Sequence, residues 1–168
     1  MLLSSLDLPL HVSLGAFLSG NAQTDGHPTH MSRGYSSRHP ALDLYVPLGT
    51  PVYAPHSGQV ITAGQYGEAE TGRDCGLTVR IERANVRSAL CHNSNLVVSE
   101  GEIVHKGQLI AYSGSTGNVT GPHVHWQLMI GGHLVDPVKA VRAAQTQGIL
   151  IGVSSVAGAA FLLYTLLS

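Results

Sequence analysis

Two histidines, His123 and His125, stand at alternate positions in the β-prone run SGSTGNVTGPHVHWQLMI. Successive residues of a strand point to opposite faces, so residues two apart point to the same face. Both imidazoles are therefore predicted to face one site. The spacing alone is a weak signal of metal binding, because core or surface histidines are often two apart.

A second cluster, RHPALDLYVPLGTPVYAP, contains His39 and Asp43. Pro40 holds His39 in an extended conformation, and Asp43 opens a predicted strand. Imidazole and carboxylate are good zinc ligands, and hydrolytic zinc sites use three protein ligands and a water whose pKa falls to about 7. His92, in SALCHNSN, is placed to share proton transfer with the non-ligating histidine of the pair. The residues thus indicate a hydrolytic zinc site.

The composition of the 168 residues narrows the class of protein. Only 11% are charged, 43% are hydrophobic, and the formal net charge is −1, so no broad basic field exists to attract nucleic acid. We expect no nucleic-acid partner. Ten histidines stand beside only two phenylalanines, which favours metal chemistry or proton transfer. Cys75 and Cys91 flank a predicted hairpin, and the sequence leaves open whether they form a disulfide.

The elements that must position these residues are short. β-rich runs such as LTVRIER and LIAYSG alternate with turn residues, and the chain has 20 glycines and 8 prolines. This pattern predicts a mainly β domain, a small antiparallel sheet or sandwich, over residues 25–138. Residues 1–24 form an N-terminal segment of uncertain role, and residues 139–148 are predicted to be a linker helix.

The C-terminal stretch 149–167, ILIGVSSVAGAAFLLYTLL, has no charged residue. Its length is close to the roughly 20 residues that a helix needs to cross a bilayer core. It predicts a C-terminal transmembrane helix that anchors the domain to a membrane. The first 20 residues lack a basic start, so they do not resemble a standard signal peptide.

The combined motifs resemble a known family. The order HPALD, a histidine after a strand, and EGEIVHKGQLIAYSGSTGNVTGPHVHWQL is similar to the M23 peptidases, the lysostaphin/LytM group of zinc endopeptidases. The segment GTPVYAPHSGQVITAG also looks like the one that follows the family's first metal motif. The resemblance covers residues 30–137 and implies an M23-type β fold, one Zn2+ per chain and peptidoglycan peptides as substrates.

Carried over residue by residue, the resemblance implies that His39, Asp43 and His125 bind zinc. His92 and His123 would be catalytic and would share the base and oxyanion-stabilising roles. Which of these two histidines takes the proton stays open.

The sequence departs from the family at two positions near the site. Ala41 stands where the family commonly has glycine between the first two ligands. Leu90 stands two residues before His92, where the family usually has an aromatic residue. Tyr35 is a candidate oxyanion or substrate contact, with a core or rim position as the alternative. The remaining histidines of turn-like sequence are predicted to be surface residues: His27, His30, His56, His105 and His133.

The function indicated is hydrolysis of peptide cross-links or stem peptides in bacterial peptidoglycan. Together with a C-terminal anchor, it suggests a phage lytic protein that helps a virion penetrate the cell wall, located in a virion membrane or a bacterial envelope. The alternative is an inactive LytM-type docking or regulatory module, or a structural module of the virion. The cleaved bond, the phage or cellular origin and the oligomeric state are not determined by the sequence.

Overall fold

The computed structural model describes residues 6–20, 22–68 and 73–156. These residues form eleven strands and two helices. In chain order the elements are α1 Leu14–Leu18, β1 Ala22–Thr24, β2 His27–Arg33, β3 Leu42–Tyr45, β4 Pro51–Tyr53, β5 Gly58–Glu68, β6 Arg73–Arg83, β7 Val86–Leu96, β8 Ile103–Val104, β9 Leu109–Ser113, β10 His123–Ile130, β11 His133–Val135 and α2 Pro137–Val156.

The strands make one sheet, in which the order β1-β2-β3-β10-β7-β6-β5-β8 forms the main path. Strand β11 pairs with β10, and β9 pairs with both β4 and β7. Every registered pair in the described part of the chain is antiparallel. The predicted mainly antiparallel β architecture is therefore confirmed.

Strands β5, β6 and β7 are consecutive in the chain and adjacent in the sheet, and each has 11 residues. Alternation explains their burial, because Val79 and Ile81 of β6 are fully buried whereas Arg80 between them is only partly covered. Two residues, Ala84 and Asn85, connect β6 to β7, and Ala84 adopts a φ of 51°. A two-residue hairpin turn favours such positive φ values, since they match the twist of the strands.

The N-terminal segment belongs to the core of this domain from Leu6 onward. Its apolar side chains are buried in the same cluster as the sheet residues. Its backbone is also tied to β4 and the residues after it, because Asp7 N donates to Pro55 O at 2.9 Å and Tyr53 N donates to Pro9 O at 3.0 Å. The buried apolar residues of the segment are Leu6, Leu8, Leu10, Leu14 and Phe17.

Helix α2 begins at Pro137, where proline is favoured because the first helical N–H needs no partner. The Asp136 carboxylate accepts a hydrogen bond from Val138 N at 2.9 Å, which caps the helix start. Val141 and Ala144 are buried against the core. The predicted linker helix 139–148 is thus part of one longer helix.

The predicted membrane span 149–167 begins within helix α2. None of the helices in the described residues combines the length and the apolar character that crossing a membrane requires. Residues 157–167 of the predicted span lie outside the described residues.

We expect Phe17→Ala to lower the free energy of unfolding by about 3–5 kcal/mol, since it deletes a buried aromatic ring that is 1% exposed. Denaturant titration of the purified chain measures the change. The control is Leu48→Ala, which removes a side chain that is 62% exposed and should alter stability by no more than about 0.5 kcal/mol. Equal effects of the two changes would contradict the packing of the N-terminal segment.

Candidate active site

Strand β10 lies between β3 and β7 and brings the site together. Its residue His125 is the pairing partner of Asp43 on β3 and of Cys91 on β7. Directly paired residues of an antiparallel sheet share one face, so Asp43 and His125 become neighbours. His125 Nδ1 lies 2.7 Å from the Asp43 Oδ1 atom.

His39 reaches the same position from the connection between β2 and β3. Its backbone forms a bridge with Ser36, in which Ser36 N donates to His39 O at 2.8 Å and His39 N donates to Ser36 O at 3.1 Å. The backbone turns again at once, because Ala41 N donates to His39 O at 2.8 Å. The His39 Nε2 atom lies 3.2 Å from Asp43 Oδ2.

His92 is brought to the site by a β-bulge. Leu77 pairs with Asn93, and Val79 pairs with Leu90, so two residues of β7 oppose one residue of β6. His92 is one of these two residues and has a φ of 66°. Positive φ is uncommon for a residue with a Cβ atom, and it costs conformational energy that the surrounding structure must offset. The bulge places the His92 ring 4.9 Å from the His123 ring, between centroids.

Backbone carbonyls orient three of the four site imidazoles. His39 Nδ1 lies 3.2 Å from Gly34 O, His92 Nδ1 lies 2.9 Å from Thr116 O, and His123 Nδ1 lies 2.9 Å from Gly121 O. A carbonyl can only accept, so each Nδ1 carries the proton and each Nε2 presents its lone pair. In each of these neutral rings, the unprotonated Nε2 atom therefore points toward Asp43 or toward the open cleft.

The Thr116 carbonyl is held in place by very close backbone packing. Thr116 Oγ1 donates to Asn93 O at 2.8 Å and accepts from Leu77 N at 2.9 Å. A Cβ atom added at Gly76 would lie 2.4 Å from Thr116 C, and one added at Gly114 would lie 2.5 Å from Asn93 C. Only glycine allows the loop after β9 to lie this close to β6 and β7.

The donor set of the site fits a zinc ion. One ligand atom each from His39, Asp43 and His125 lies within 4.8 Å of the others, and all three residues are buried. Two imidazoles and one carboxylate form a common set of three protein ligands in catalytic zinc sites. The hydrogen bond from His39 to a backbone carbonyl is the outer support that metal-binding histidines usually have.

A second group shares His125 with the first. His92 and His123 also place one ring nitrogen each within 4.8 Å of a His125 nitrogen and of each other. His123 Nε2 lies 3.8 Å from Asp43 Oδ1. The structure therefore brings together all five residues for which sequence analysis predicted metal-binding or catalytic roles.

Burial and neighbouring charges set the protonation of the site. Burial lowers the pKa of His92 to about 4, and the charges of His123 and His125 lower it further. The hydrogen bond to the Thr116 carbonyl raises this pKa and offsets part of the effect. Burial also lowers the pKa of His39, partly offset by the Asp43 charge. Burial would raise the pKa of Asp43, but the hydrogen bond to His125 and the charges of the surrounding imidazoles hold it below its usual range.

The five residues line a cleft of about 470 Å³. One side of it comes from the end of β2 and the β2–β3 connection and includes two arginines, and the other comes from β6 and the loop before β10. The cleft residues apart from the five are Arg33, Ser37, Arg38, Pro40, Asp74, Cys75, Asn118, Val119, Thr120 and Gln127. The volume lies within the range of about 300–1,000 Å³ that is common for ligand pockets.

Tyr35 does not line this cleft. Its hydroxyl donates a hydrogen bond to Leu134 O at 3.0 Å, and the residue is 36% exposed. Its predicted contact with an oxyanion stays a prediction. Cys75 and Cys91 are both buried and are not joined by a disulfide.

The prediction that His56 is a surface residue is wrong. His56 is 4% exposed, and its Nδ1 and Nε2 atoms lie 3.0 Å from Ser57 O and Ser88 Oγ. The same Ser88 oxygen accepts a hydrogen bond from Trp126 Nε1 at 3.1 Å. Two partners satisfy the ring, and burial lowers the pKa of His56, so a neutral imidazole fits the interior.

Sequence analysis did not single out Thr116, Arg33 or Arg38. Thr116 lies in a glycine-rich stretch that looks like an ordinary turn, and only its three-dimensional partners show its role. The arginines could have been noticed in the sequence, because Arg38 directly precedes His39 and Arg33 lies shortly before it.

The sequence profile of peptidase family M23 matches residues 37–137, which is more than half of the chain. The chain belongs to peptidase family M23. Peptidoglycan DD-endopeptidase ShyA of Vibrio cholerae is 37% identical to this M23 chain over 103 residues. That match covers 61% of this chain and 23% of ShyA, so the chain corresponds to about a quarter of that relative.

Solved structures agree with the assignment to family M23. The crystal structure of a putative peptidase M23 from Pseudomonas aeruginosa has a TM-score of 0.63 and 31% identity, and the match covers 82% of this chain and 50% of that one. The antimicrobial peptidase lysostaphin from Staphylococcus simulans has a TM-score of 0.59 and 30% identity, over 68% of this chain and 49% of its own.

We expect Gly76→Ala to lower the free energy of unfolding by about 1–3 kcal/mol, since the new methyl group would overlap the Thr116 backbone. The shift should also move Thr116 O away from His92 Nδ1. Nitrogen-15 NMR of the imidazoles should then show a mixture of His92 tautomers. The control is Gly64→Ala, where a Cβ atom would meet nothing within 4 Å. An unchanged His92 spectrum in Gly76→Ala would contradict this role of the glycine.

Proposed function

We propose that this M23 domain is a zinc-dependent endopeptidase that hydrolyses peptide cross-links or stem peptides of bacterial peptidoglycan. The observation that carries the proposal is the buried His39, Asp43 and His125 set with two further imidazoles in the same cleft. Relatives named as a peptidoglycan DD-endopeptidase and as lysostaphin support the choice of substrate.

His39 through Nε2, His125 through Nδ1 and Asp43 through its carboxylate would hold the zinc ion. Zinc bound there supplies a Lewis acid that polarises a carbonyl and lowers the pKa of water to about 7. The low pKa of Asp43 keeps its carboxylate charged for this task over the neutral pH range.

His92 and His123 handle protons and charge beside the metal ligands. Their Nδ1 protons are donated to backbone carbonyls, so each Nε2 lone pair is available to accept a proton from water. Once protonated, the same Nε2 donates a hydrogen bond to the negative oxygen that develops on the peptide carbonyl or to the departing amine. The two rings can divide these tasks in either order.

Two alanine variants separate metal binding from proton transfer. His125→Ala should remove both zinc and peptidoglycan cleavage, because it deletes a ligand. His123→Ala should keep about one zinc per chain and lose at least about a hundredfold in kcat, which is the usual contribution of a general acid or base. Zinc content by elemental analysis and product peptides by mass spectrometry measure both effects.

The matched control is His133→Ala, which changes an exposed histidine outside the cleft. It should keep full zinc content and activity. A His125→Ala chain that is metal-free and fully active would disprove the mechanism. Wild-type protein that holds no zinc and cleaves nothing would favour an inactive docking or structural module instead.

We further propose that the enzyme reaches the wall from a membrane, in a virus particle or in a bacterial envelope. The uncharged stretch 149–167 supports this proposal, as an anchor of that length suits a bilayer. A chain ending at residue 148 should lose sedimentation with membranes, whereas the full chain should need detergent for release. Release of the full chain by salt alone would argue against the anchor. A membrane-impermeant protease applied to intact particles or cells would then report which side the domain occupies.

A further inference from the structure

A buried histidine that takes no part in the proposed chemistry is linked to the core face of strand β10. His56 lies in the connection between β4 and β5 and is 4% exposed. Strand β10 turns His123 and His125 toward the cleft and Trp126 toward the core, where Trp126 is fully buried. The Ser88 hydroxyl on β7 lies 3.0 Å from His56 Nε2 and 3.1 Å from Trp126 Nε1. One oxygen atom thus joins His56 to the strand that carries the site.

The chemistry of the partners fixes the hydrogens of this network. Ser57 O can only accept, so His56 Nδ1 carries a proton. Trp126 Nε1 can only donate, so the Ser88 oxygen accepts from it. The Ser88 hydroxyl hydrogen is then donated to His56 Nε2, which accepts it as an unprotonated nitrogen. All the hydrogen bonds of the network are made when His56 is neutral.

A second proton on His56 would disrupt the network. The Nε2 atom would become a donor, so the Ser88 oxygen would face two N–H groups and its own hydrogen would lose its acceptor. The interior would also gain a positive charge. A buried donor without an acceptor and a buried charge are both costly, so protonation weakens the packing around Trp126.

The charges around His56 do not offset this cost. Burial is the main cause of the lowered pKa of His56, and the charge of Arg83 at the end of β6 lowers this pKa further, against the hydrogen bond to Ser57. The partners on β7 and β10, Ser88 and Trp126, carry no charge. Carboxylates on neighbouring segments are already paired with cations, in the pairs Glu82–Arg87 and Asp7–Lys106.

We propose that His56 is a positioning residue for the site. As a neutral imidazole it holds Trp126 through Ser88, and with Trp126 it holds the strand that carries His123 and His125. Protonation of His56 loosens this strand, so a residue outside the cleft sets an acid limit for the site. This inference rests on the proposed zinc site and concerns its regulation by pH.

The direction of the pH effect follows from the lowered pKa. A histidine whose pKa is lower in the folded chain than in the unfolded chain stabilises the fold above about pH 6.5, and this stabilisation is lost as the pH falls toward the folded-state pKa. Each pH unit in that window raises the unfolding constant by up to about tenfold. The pKa values of His39 and His92 are also lowered, so the part that belongs to His56 is a difference between two chains.

The test compares the zinc-loaded full chain with its His56→Gln variant from about pH 7.5 to about pH 5. Glutamine can accept the Ser88 hydrogen through its side-chain oxygen but takes up no proton. The fluorescence of Trp126, the one tryptophan of the sequence, follows unfolding by denaturant. We expect the unfolding constants to run parallel above about pH 6.5 and the wild-type constant to rise more steeply below it, by up to about tenfold per pH unit.

Release of zinc into a chelator measures the effect on the site. Opening of β10 takes His125 away from the metal, so the release rate should show the same additional acid dependence in the wild type and not in His56→Gln. His105→Gln makes the same change at an exposed histidine and should follow the wild type. Ser88→Ala tests the link without a change at His56, and it should release zinc about tenfold faster at about pH 7.5, because Trp126 loses its acceptor.

Parallel unfolding curves for the wild type and His56→Gln over the whole range would overturn the inference. Divergent unfolding with equal zinc release would overturn it too, because His56 would then stabilise the fold without positioning the site. A wild-type chain that binds no zinc would remove the proposed function. Hydrogen exchange of the β10 amides needs no metal, and in that case equal acid dependence of strand opening in the two chains would overturn the coupling.

Discussion

Two hydrogen-bonded ladders, one on each side of strand β10, hold the site together. They join β10 to β3 and to β7, and His125 is therefore set between Asp43 and the bulge that carries His92. The opposite face of β10 enforces this register, because Val124 and Trp126 are fully buried. A slip of one residue would expose both apolar side chains and turn both histidines into the core.

Orientation of the rings depends on a second constraint, the contact of the loop before β10 with β6 and β7. The backbone of this loop supplies the carbonyls for His92 and His123. Its approach is closer than any side chain at Gly76 or Gly114 would permit. Strand pairing thus brings Asp43 and His125 together, whereas backbone carbonyls orient the rings of His92 and His123.

Much of the fold and the site could be predicted from local sequence. Strands β5, β6, β7 and β9 carry β-rich runs between turn residues, and the spacing of His123 and His125 indicates a shared face directly. The short strands β1, β8 and β11 carry too few residues for a pattern to stand out.

Other features depend on long-range contacts. In a regular strand, Cys91 would share the face of its partner His125 and His92 would point the other way, so only the bulge brings His92 to the site. The burial of His56 depends on Ser88, which lies 32 residues away. The N-terminal leucines resemble an isolated apolar segment until β4 provides the surface that they cover. The pairing of Arg33 with Asp43 is likewise not visible in any linear pattern.

The position of β10 in the chain also affects the order in which the protein folds during synthesis. The hairpins of β5, β6 and β7 join neighbouring segments, so they can form while the chain is still being synthesised. Asp43, by contrast, can contact His125 only after the 82 residues that separate them in the chain have been synthesised. A chain on the ribosome therefore has no assembled centre until β10 has emerged and inserted between strands made much earlier. Late closure of this kind keeps the candidate site unformed while the earlier strands are being synthesised.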